Sequence, residues 1–188
     1  VAATALPLSH RLKSQGYVEI PLCRDRLAVV AHAQVTVHNI TAAQLQGIFS
    51  GDITNWNQLG GPDRPMVVVI PSRESAAYRN FSAQVLKGRD LYYDLMTSRS
   101  TMVAEVIRRI PWSLTFVAQG AVFGRPQGSK IVSINGMTPE DPGYPFEETY
   151  YLITKGQPAG LVKKFVSYTE SKEVRKIIRD RGMLPVRE

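Results

Sequence analysis

The sequence predicts an α/β fold, in which apolar strands alternate with amphipathic helices. Near-continuous β-branched runs such as "RLAVVAH" and "MVVVI" are typical of buried strands. Segments such as "NITAAQLQGIFSG" lie between them and carry apolar residues at helical spacing. This alternation predicts α/β layers with mainly parallel sheets, whose ligands bind at the carboxyl ends of strands and at helix N-termini.

The first half of the chain supplies two strands and one well-marked helix. "YVEIPL" and "RLAVVAH" predict strands, and Thr41 predicts a helix start because Gln44 follows it at the spacing of a capping box. Gly51 predicts the end of this helix. We expect apolar side chains of the helix and the following loop to be buried, namely Leu45, Ile48, Phe49, Trp56 and Leu59.

The second half repeats the alternation. A helix is predicted from Ser75 to Gly88 after the strand "MVVVI", and another from Ser98 or Ser100 to Pro111. "LTFVAQ", "KIVSI" and "ETYYLIT" predict further strands. Two C-terminal helices are predicted by apolar residues at helical spacing, namely Leu161, Val162, Phe165, Val166, Val174, Ile177 and Ile178.

The composition is that of a globular domain and excludes a membrane-spanning chain. The 188 residues are 44% hydrophobic and 21% charged, which is ordinary for a globular domain, and no apolar run is long enough for a membrane helix. The N-terminus shows no signal peptide, so the chain is either not exported or lacks a signal that was removed.

The sequence shows no pattern of a catalytic, metal or cofactor site. Cys23 is the single cysteine, which excludes an internal disulfide and a cysteine-built metal centre. The three histidines have no paired metal-ligand spacing, and no HExxH, GxSxG, Walker or GxGxxG pattern occurs. We therefore expect a protein that is not an enzyme.

The net charge of +7 indicates an anionic partner. Many of the basic residues lie in "KKFVSYTESKEVRKIIRDRG", where they fall between the apolar positions of the C-terminal helices. A solvated helix face accounts for them better than nucleic-acid binding, because no aromatic platform or nucleic-acid motif accompanies them.

Several stretches together resemble one family. "ITAAQLQGIFSGDITNWNQLGG" is similar to the helix and "IFxGxxxNWxxLGG" block of phosphate-binding proteins of the ABC transporter type. "YVEIPLCRDRLAVVAH" and "GYPFEETYYLITKGQP" resemble the two crossings of that family, and "KKFVSYTESKEVRKIIRDRGMLPV" resembles its terminal helices. The chain is identified as a member of the type II periplasmic-binding-protein superfamily.

The resemblance implies two α/β lobes joined by two crossing strands, with the ligand enclosed between the lobes. Residues 31–143 are expected to form the central second lobe, and residues 1–30 with 144–188 a partial first lobe. Closure would occur about the crossings near residues 27–30 and 150–153. Family members carry two further β-α units before the region matched here, so we expect the first lobe to be incomplete. A partner segment or a domain-swapped dimer would then complete it.

The resemblance also places an anion site after "MVVVI". The family's Ser-Gly-Thr at a helix start maps to Ser75, Ala76 and Ala77, while its arginine maps to Pro71 and its cleft aspartate to Ala5. Candidate replacements for the lost donors are Ser72, Arg73, Arg99 and Ser100. The alternative is that Ser75 only caps a helix and that Arg73 and Arg79 face solvent.

A second departure lies at "PWSLTF", where the family has "PGAIGY". Trp112 replaces a glycine, so its ring either occupies the cleft and contacts a ligand, or anchors the lobe as a packed side chain. The second interpretation is favoured.

Two functions follow. The first is a periplasmic or extracytoplasmic solute-binding module for a small oxyanion such as phosphate, with an ABC permease as partner and no cofactor or metal. The second is an interaction or scaffold domain that has lost small-ligand binding, which the substitutions at Pro71, Ala77 and Trp112 favour.

Overall fold

The computed structural model describes residues 1–99, 102–122 and 127–186. The chain forms two compact units: unit 1 comprises Val1–Arg26 and Glu147–Glu188, and unit 2 comprises Leu27–Phe146. The chain therefore passes between the units twice, once after Arg26 and once after Phe146.

The predicted helices and strands occur in the predicted order, together with short elements that were not predicted. The strands are β1 Ala2–Thr4, β2 Tyr17–His32, β3 Asn39–Ile40, β4 Val67–Ile70, β5 Leu95–Met96, β6 Ser113–Ala118, β7 Ser129–Ile134, β8 Glu147–Lys155 and β9 Leu184–Pro185. The helices are α1 His10–Ser14, α2 Ala42–Phe49, α3 Ala76–Phe81, α4 Val103–Arg109, α5 Gln119–Val122, α6 Gly160–Thr169 and α7 Lys172–Asp180. A 3₁₀ turn covers Trp56–Leu59, and a π-helical turn covers Ser82–Leu86.

Unit 1 has an antiparallel sheet. The two predicted strands "YVEIPL" and "RLAVVAH" are one continuous strand, β2, with an irregularity between Pro21 and Cys23. Its first part pairs antiparallel with β8 and β9, and β8 pairs antiparallel with β1. The prediction of mainly parallel sheets is therefore wrong for this unit, because its long strands are the crossing strands and run in opposite directions.

Unit 2 has a mixed sheet. β4 pairs parallel with both β5 and β6, and β3 pairs parallel with β7. The second part of β2 lies between β6 and β7 and is antiparallel to both. The helix-connected strands are thus parallel, as βαβ units require, and the strand that arrives from unit 1 is not.

The predicted helix after residue 40 is confirmed. Thr41 caps α2, and its side chain and that of Gln44 form the reciprocal bonds of a capping box. Leu45, Ile48 and Phe49 are fully buried.

An aromatic cluster fixes α3 over the sheet of unit 2. Phe81 at the end of α3 stacks on Phe116 of β6, with ring centroids 3.7 Å apart and planes 3° from parallel. Phe49 meets both rings edge-on, at 4.8 Å and 5.3 Å. This packing fixes the C-terminal end of α3 against β6.

The C-terminal helices are more exposed than the sequence predicts. Ile178 is buried, but Leu161, Phe165 and Ile177 have exposed fractions of 82%, 47% and 54%. Nothing in α6 is buried. The expected buried stripe is therefore realised only in part.

Among the described residues, none of the helices combines the length and apolar character needed to cross a membrane.

Candidate functional site

The candidate residues lie at one edge of the unit 2 sheet. β4, β5 and β6 are mutually parallel neighbours, with β4 in the middle, so their carboxyl ends share an edge. Three segments leave this edge: Pro71–Ser75 after β4, Thr97–Arg99 after β5, and α5 after β6. Open α/β sheets bind ligands at edges of this kind.

The start of α3 carries three of the candidates. Ser75 is the N-cap, and its hydroxyl accepts a hydrogen bond from the Tyr78 N–H at 3.1 Å. The next two amides, of Ala76 and Ala77, precede the first intrahelical bond of α3 and so have no acceptor within the helix. Ser75 therefore caps the helix, and the two alanines contribute backbone donors only.

The turn between β4 and α3 is short and largely closed by its own hydrogen bonds. Ser75 N–H donates to the Ser72 carbonyl at 2.9 Å, and Glu74 N–H donates to the Ser72 hydroxyl at 3.4 Å. Pro71, which the resemblance aligns with the family's arginine, is buried. Glu74 is exposed and places a negative charge in the candidate segment.

Arg73 is exposed, and its guanidinium lies on Tyr93. Its Nη2 donates to the Tyr93 hydroxyl at 3.3 Å, and its Cζ lies 5.4 Å from the centroid of the ring. Sequence reasoning missed Tyr93 because it is twenty positions away along the chain. β5 pairs parallel with β4 with Leu95 opposite Val69, which sets Tyr93 level with Val67, so the Arg73 side chain reaches back from beyond the end of β4 to meet it.

The segment after β5 is tied to the end of β4. Thr97 is 7% exposed; its N–H donates to the Ile70 carbonyl at 3.0 Å, and its hydroxyl donates to the Arg99 carbonyl at 3.1 Å. Arg99 is exposed at the same edge as Ser72. Ser100, the remaining candidate, lies outside the described residues.

Trp112 lies at the opposite edge of the sheet. It immediately precedes β6, so the whole length of that strand separates it from the carboxyl edge. Its ring packs against the core of unit 2 and lies under the Arg64 guanidinium, with Cζ 6.0 Å from the ring centroid. Trp112 is thus an anchor within unit 2.

The chain matches the family described as PBP superfamily domain over residues 1–173. The chain belongs to the PBP superfamily. The match spans most of the sequence, including the turn after β4 and the start of α3.

Individual members with similar sequences are phosphate-binding proteins by name. Phosphate-binding protein PstS of Bacillus subtilis is 29% identical over 168 residues, which cover 85% of this PBP-superfamily chain and 55% of that protein. Phosphate-binding protein PstS of Borreliella burgdorferi is 22% identical over 202 residues, covering 100% of this chain and 72% of that protein. The chain thus spans little more than half the length of the B. subtilis relative.

Solved structures share the fold. A substrate-binding protein from Clostridium perfringens, assigned to a phosphate ABC transporter and solved with bound phosphate, superposes with a TM-score of 0.86 at 21% identity. That match covers 98% of this chain and 78% of the other. An ABC-type phosphate transport receptor from Vibrio cholerae gives a TM-score of 0.78 at 23% identity, over 97% of this chain and 78% of that one. The predicted type II periplasmic-binding-protein fold is confirmed.

Proposed function

We propose that this chain is an extracytoplasmic solute-binding module that binds a small tetrahedral oxyanion, such as phosphate, at the carboxyl edge of the unit 2 sheet. The observation that carries the proposal is the meeting of two donor-bearing segments, Pro71–Ser75 and Thr97–Arg99, at that edge. The relatives named as phosphate-binding proteins support the choice of ligand. An ABC permease is the partner that this class of receptor implies.

The available donors suit an oxyanion. The hydroxyl of Ser75 uses a lone pair for the Tyr78 amide, which leaves its own proton for an anion oxygen. The amides of Ala76 and Ala77 can add two neutral donors. A bound dianion also needs positive charge, because an uncompensated charge away from water is very costly.

Arg73 is the charge partner in this proposal. Proline at position 71 has neither a charge nor an N–H, so the family's charge partner has no counterpart there. Arg73 lies two residues further along, and Arg99 contributes a second cation from the neighbouring strand end. Planar guanidinium groups bind oxyanions through paired N–H donors, which suits both residues to this role.

Isothermal titration with phosphate, sulfate and molybdate tests the proposal. We expect at least one anion to bind at micromolar or lower concentration, and Arg73→Gln to weaken binding roughly tenfold or more, the loss expected for a charge-assisted pair. Arg79→Gln is the matched control, because it removes the same charge from the last turn of α3. Absence of heat with all three anions would overturn the function.

The test of Ser75 uses two variants, because Ser75 also caps α3. Ser75→Ala should weaken anion binding and lower stability by about 1 kcal/mol, while Ser75→Thr retains both the cap and the hydroxyl. If both variants bind the anion as the wild type does, Ser75 has no role beyond capping.

A second function, as an interaction domain, is favoured by one surface of unit 1. On α6, Leu161, Phe165 and Tyr168 recur at one-turn spacing and have exposed fractions of 82%, 47% and 55%. Exposed apolar stripes of this kind mark contact sites for another polypeptide, whether a partner segment or a second copy of the chain.

Sedimentation and pull-down measurements separate the two functions. If α6 is an interface, the double variant Leu161→Ser with Phe165→Ser should abolish self-association or partner capture, while the control Lys163→Ser should not. A monomer that binds anion and captures no partner would reject the interaction function.

A further inference from the structure

Helix α6 has two different faces. Val162 and Val166 are half-buried and lie on one side of the helix. Leu161, Phe165 and Tyr168 lie on another side, at the i, i+4 and i+7 spacing of a single stripe, with exposed fractions of 82%, 47% and 55%. A single exposed leucine is ordinary on a protein surface, but a continuous apolar stripe marks a contact site.

Positive charge accompanies this stripe. Lys164 is exposed and lies three residues after Leu161 and four before Tyr168, so it belongs to the same face. The sequence of α6 contains two lysines and no acidic residue. Residues 155–181 include eight basic and three acidic residues, so this part of unit 1 carries most of the chain's net charge of +7. The apolar stripe therefore lies on a cationic surface.

This combination favours a lipid surface over another polypeptide as the occupant. A second copy would meet α6 with the same cationic face, and like charges would repel each other. Three side chains also expose far less than the about 800 Å² per partner that a stable protein interface buries. An anionic bilayer needs no complementary shape, because basic side chains hold a helix at the headgroups while its apolar side chains enter the acyl boundary.

We propose that the exposed face of α6 binds the surface of an anionic lipid membrane. The apolar stripe enters the interfacial region, and Lys164 keeps its charge at the level of the lipid phosphates while its stem lies along the apolar surface. This inference goes beyond the proposed function and does not depend on the anion site. It assigns the α6 stripe a different occupant from the polypeptide of the second function.

Vesicle sedimentation with the whole chain tests the inference. Binding is compared between vesicles of phosphatidylcholine and vesicles of phosphatidylcholine mixed with phosphatidylglycerol. We expect binding to the anionic vesicles to be about tenfold stronger or more at low salt, because several basic residues lie near the lipid surface. The difference should shrink at high salt, because ions screen exposed charges.

Substitutions on α6 test the position of the contact. The double variant Leu161→Ser with Phe165→Ser should weaken binding to anionic vesicles about tenfold or more, because it removes most of the apolar stripe. Lys164→Gln should weaken it about fivefold, the effect of one basic residue near an anionic surface. The controls are Leu12→Ser, which removes an exposed leucine from α1, and Arg79→Gln, which removes the same charge from α3. Both controls should bind the vesicles as the wild type does.

Fluorescence provides a direct measurement of insertion. Phe165→Trp keeps an aromatic ring on the stripe, and its emission should shift to shorter wavelength with anionic vesicles and be quenched by lipids brominated in the acyl chains. Leu12→Trp is the control and should show neither change. Trp56 and Trp112 lie in unit 2 and contribute the same background to both proteins.

A lipid headgroup also carries a phosphate, so the candidate anion site has to be separated from α6. Free phosphate should release the protein from anionic vesicles no more than sodium chloride of the same ionic strength does. Specific release by phosphate would assign the headgroup to the anion site and overturn the inference.

Other results would also overturn the inference. Equal binding to both kinds of vesicle, or binding to neither, would exclude an anionic lipid surface as the partner. Full vesicle binding by the α6 variants would place the contact elsewhere. Self-association that the double variant abolishes, without vesicle binding, would assign the stripe to a second copy. Phosphate titration is a separate measurement, so the function proposed for the anion site stands or fails independently.

Discussion

The indole of Trp56 donates its Nε1–H to the backbone carbonyl of Trp112 at 2.9 Å. The same carbonyl accepts the Val67 N–H at 3.3 Å, so one acceptor joins the 3₁₀ turn, the start of β4 and the start of β6. Trp56 is fully buried, whereas the ring of Trp112 is only partly buried.

Trp56→Phe should therefore destabilise the protein by about 1–3 kcal/mol, because it removes a partly buried hydrogen bond and part of a large buried ring. Urea unfolding followed by circular dichroism measures the loss. The control is Trp112→Phe, which leaves the backbone carbonyl in place and should cost less. A larger loss in the control would contradict the dominant role of the buried indole.

Lys87 ends the π-helical turn after α3 in the left-handed conformation, with φ of 51°. A side chain costs roughly 1 kcal/mol in this region, so Lys87→Gly should raise stability by up to about 1 kcal/mol after the entropy of the unfolded glycine is subtracted.

The next residue provides the matched control. Gly88 has φ of 95°, and a Cβ there would meet no atom within 4 Å. Gly88→Ala should therefore destabilise by backbone strain alone. Thermal unfolding of both variants checks the pair, and stabilisation by the alanine would contradict the assigned backbone conformation.

Glu74 is an exposed carboxylate inside the candidate anion segment. Its charge opposes that of a bound anion, so Glu74→Gln should tighten phosphate binding about two- to threefold at low salt, and less at high salt because ions screen exposed charges.

Asp63→Asn is the control for this change. It removes one negative charge from the loop before β4, at the edge of the sheet opposite the candidate site. Titration at two salt concentrations should detect no change in this variant. Equal tightening in both variants would reflect net charge and not the position of Glu74.

Cys23 makes stability depend on pH in the alkaline range. Burial, with smaller contributions from the charges of Asp25 and Glu148, raises the pKa of Cys23 to about 11. The folded state therefore holds this proton more tightly than the unfolded state does. The contribution is complete below the ordinary thiol pKa and is lost as the pH rises through about 11.

We expect the wild type to lose about 2 kcal/mol of unfolding free energy between pH 8 and 11 through this thiol, and Cys23→Ala to lose less. Urea unfolding across that range measures both. The pKa of Tyr150 is also raised, chiefly by burial and then by the charge of Glu148, and Tyr150 is present in both proteins. Identical pH profiles would exclude Cys23 as the source.

Much of the fold could be predicted because its signals are local. The Thr41 and Gln44 capping box needs only a spacing of three residues, and the buried stripe of α2 needs only helical periodicity. Strand direction could not be predicted in the same way. β2 runs antiparallel to all its partners because it is the strand that passes from unit 1 into unit 2. The amino-acid composition of β2 does not indicate this direction.

The candidate site was likewise predictable only where its signals are local. The sequence placed Ser72, Arg73 and Ser75 at a strand-to-helix turn, because a strand, a proline and a capping serine lie next to one another in the chain. It could not pair Thr97 with Ile70, because parallel strand pairing creates that contact, or Arg73 with Tyr93, because two long side chains reach that contact from different parts of the chain.

The sequence by itself determined most of the strands and helices, their order and the superfamily, and it predicts the turn after β4 as the place where an anion would bind. Only the tertiary structure decided that Trp112 lies at the edge of the sheet away from that turn and that the Arg73 side chain contacts Tyr93. The physical reason is that periodicity and capping act within a few residues. Side-chain partners depend on which strands pair and in which direction, and the sheet sets both across long stretches of chain.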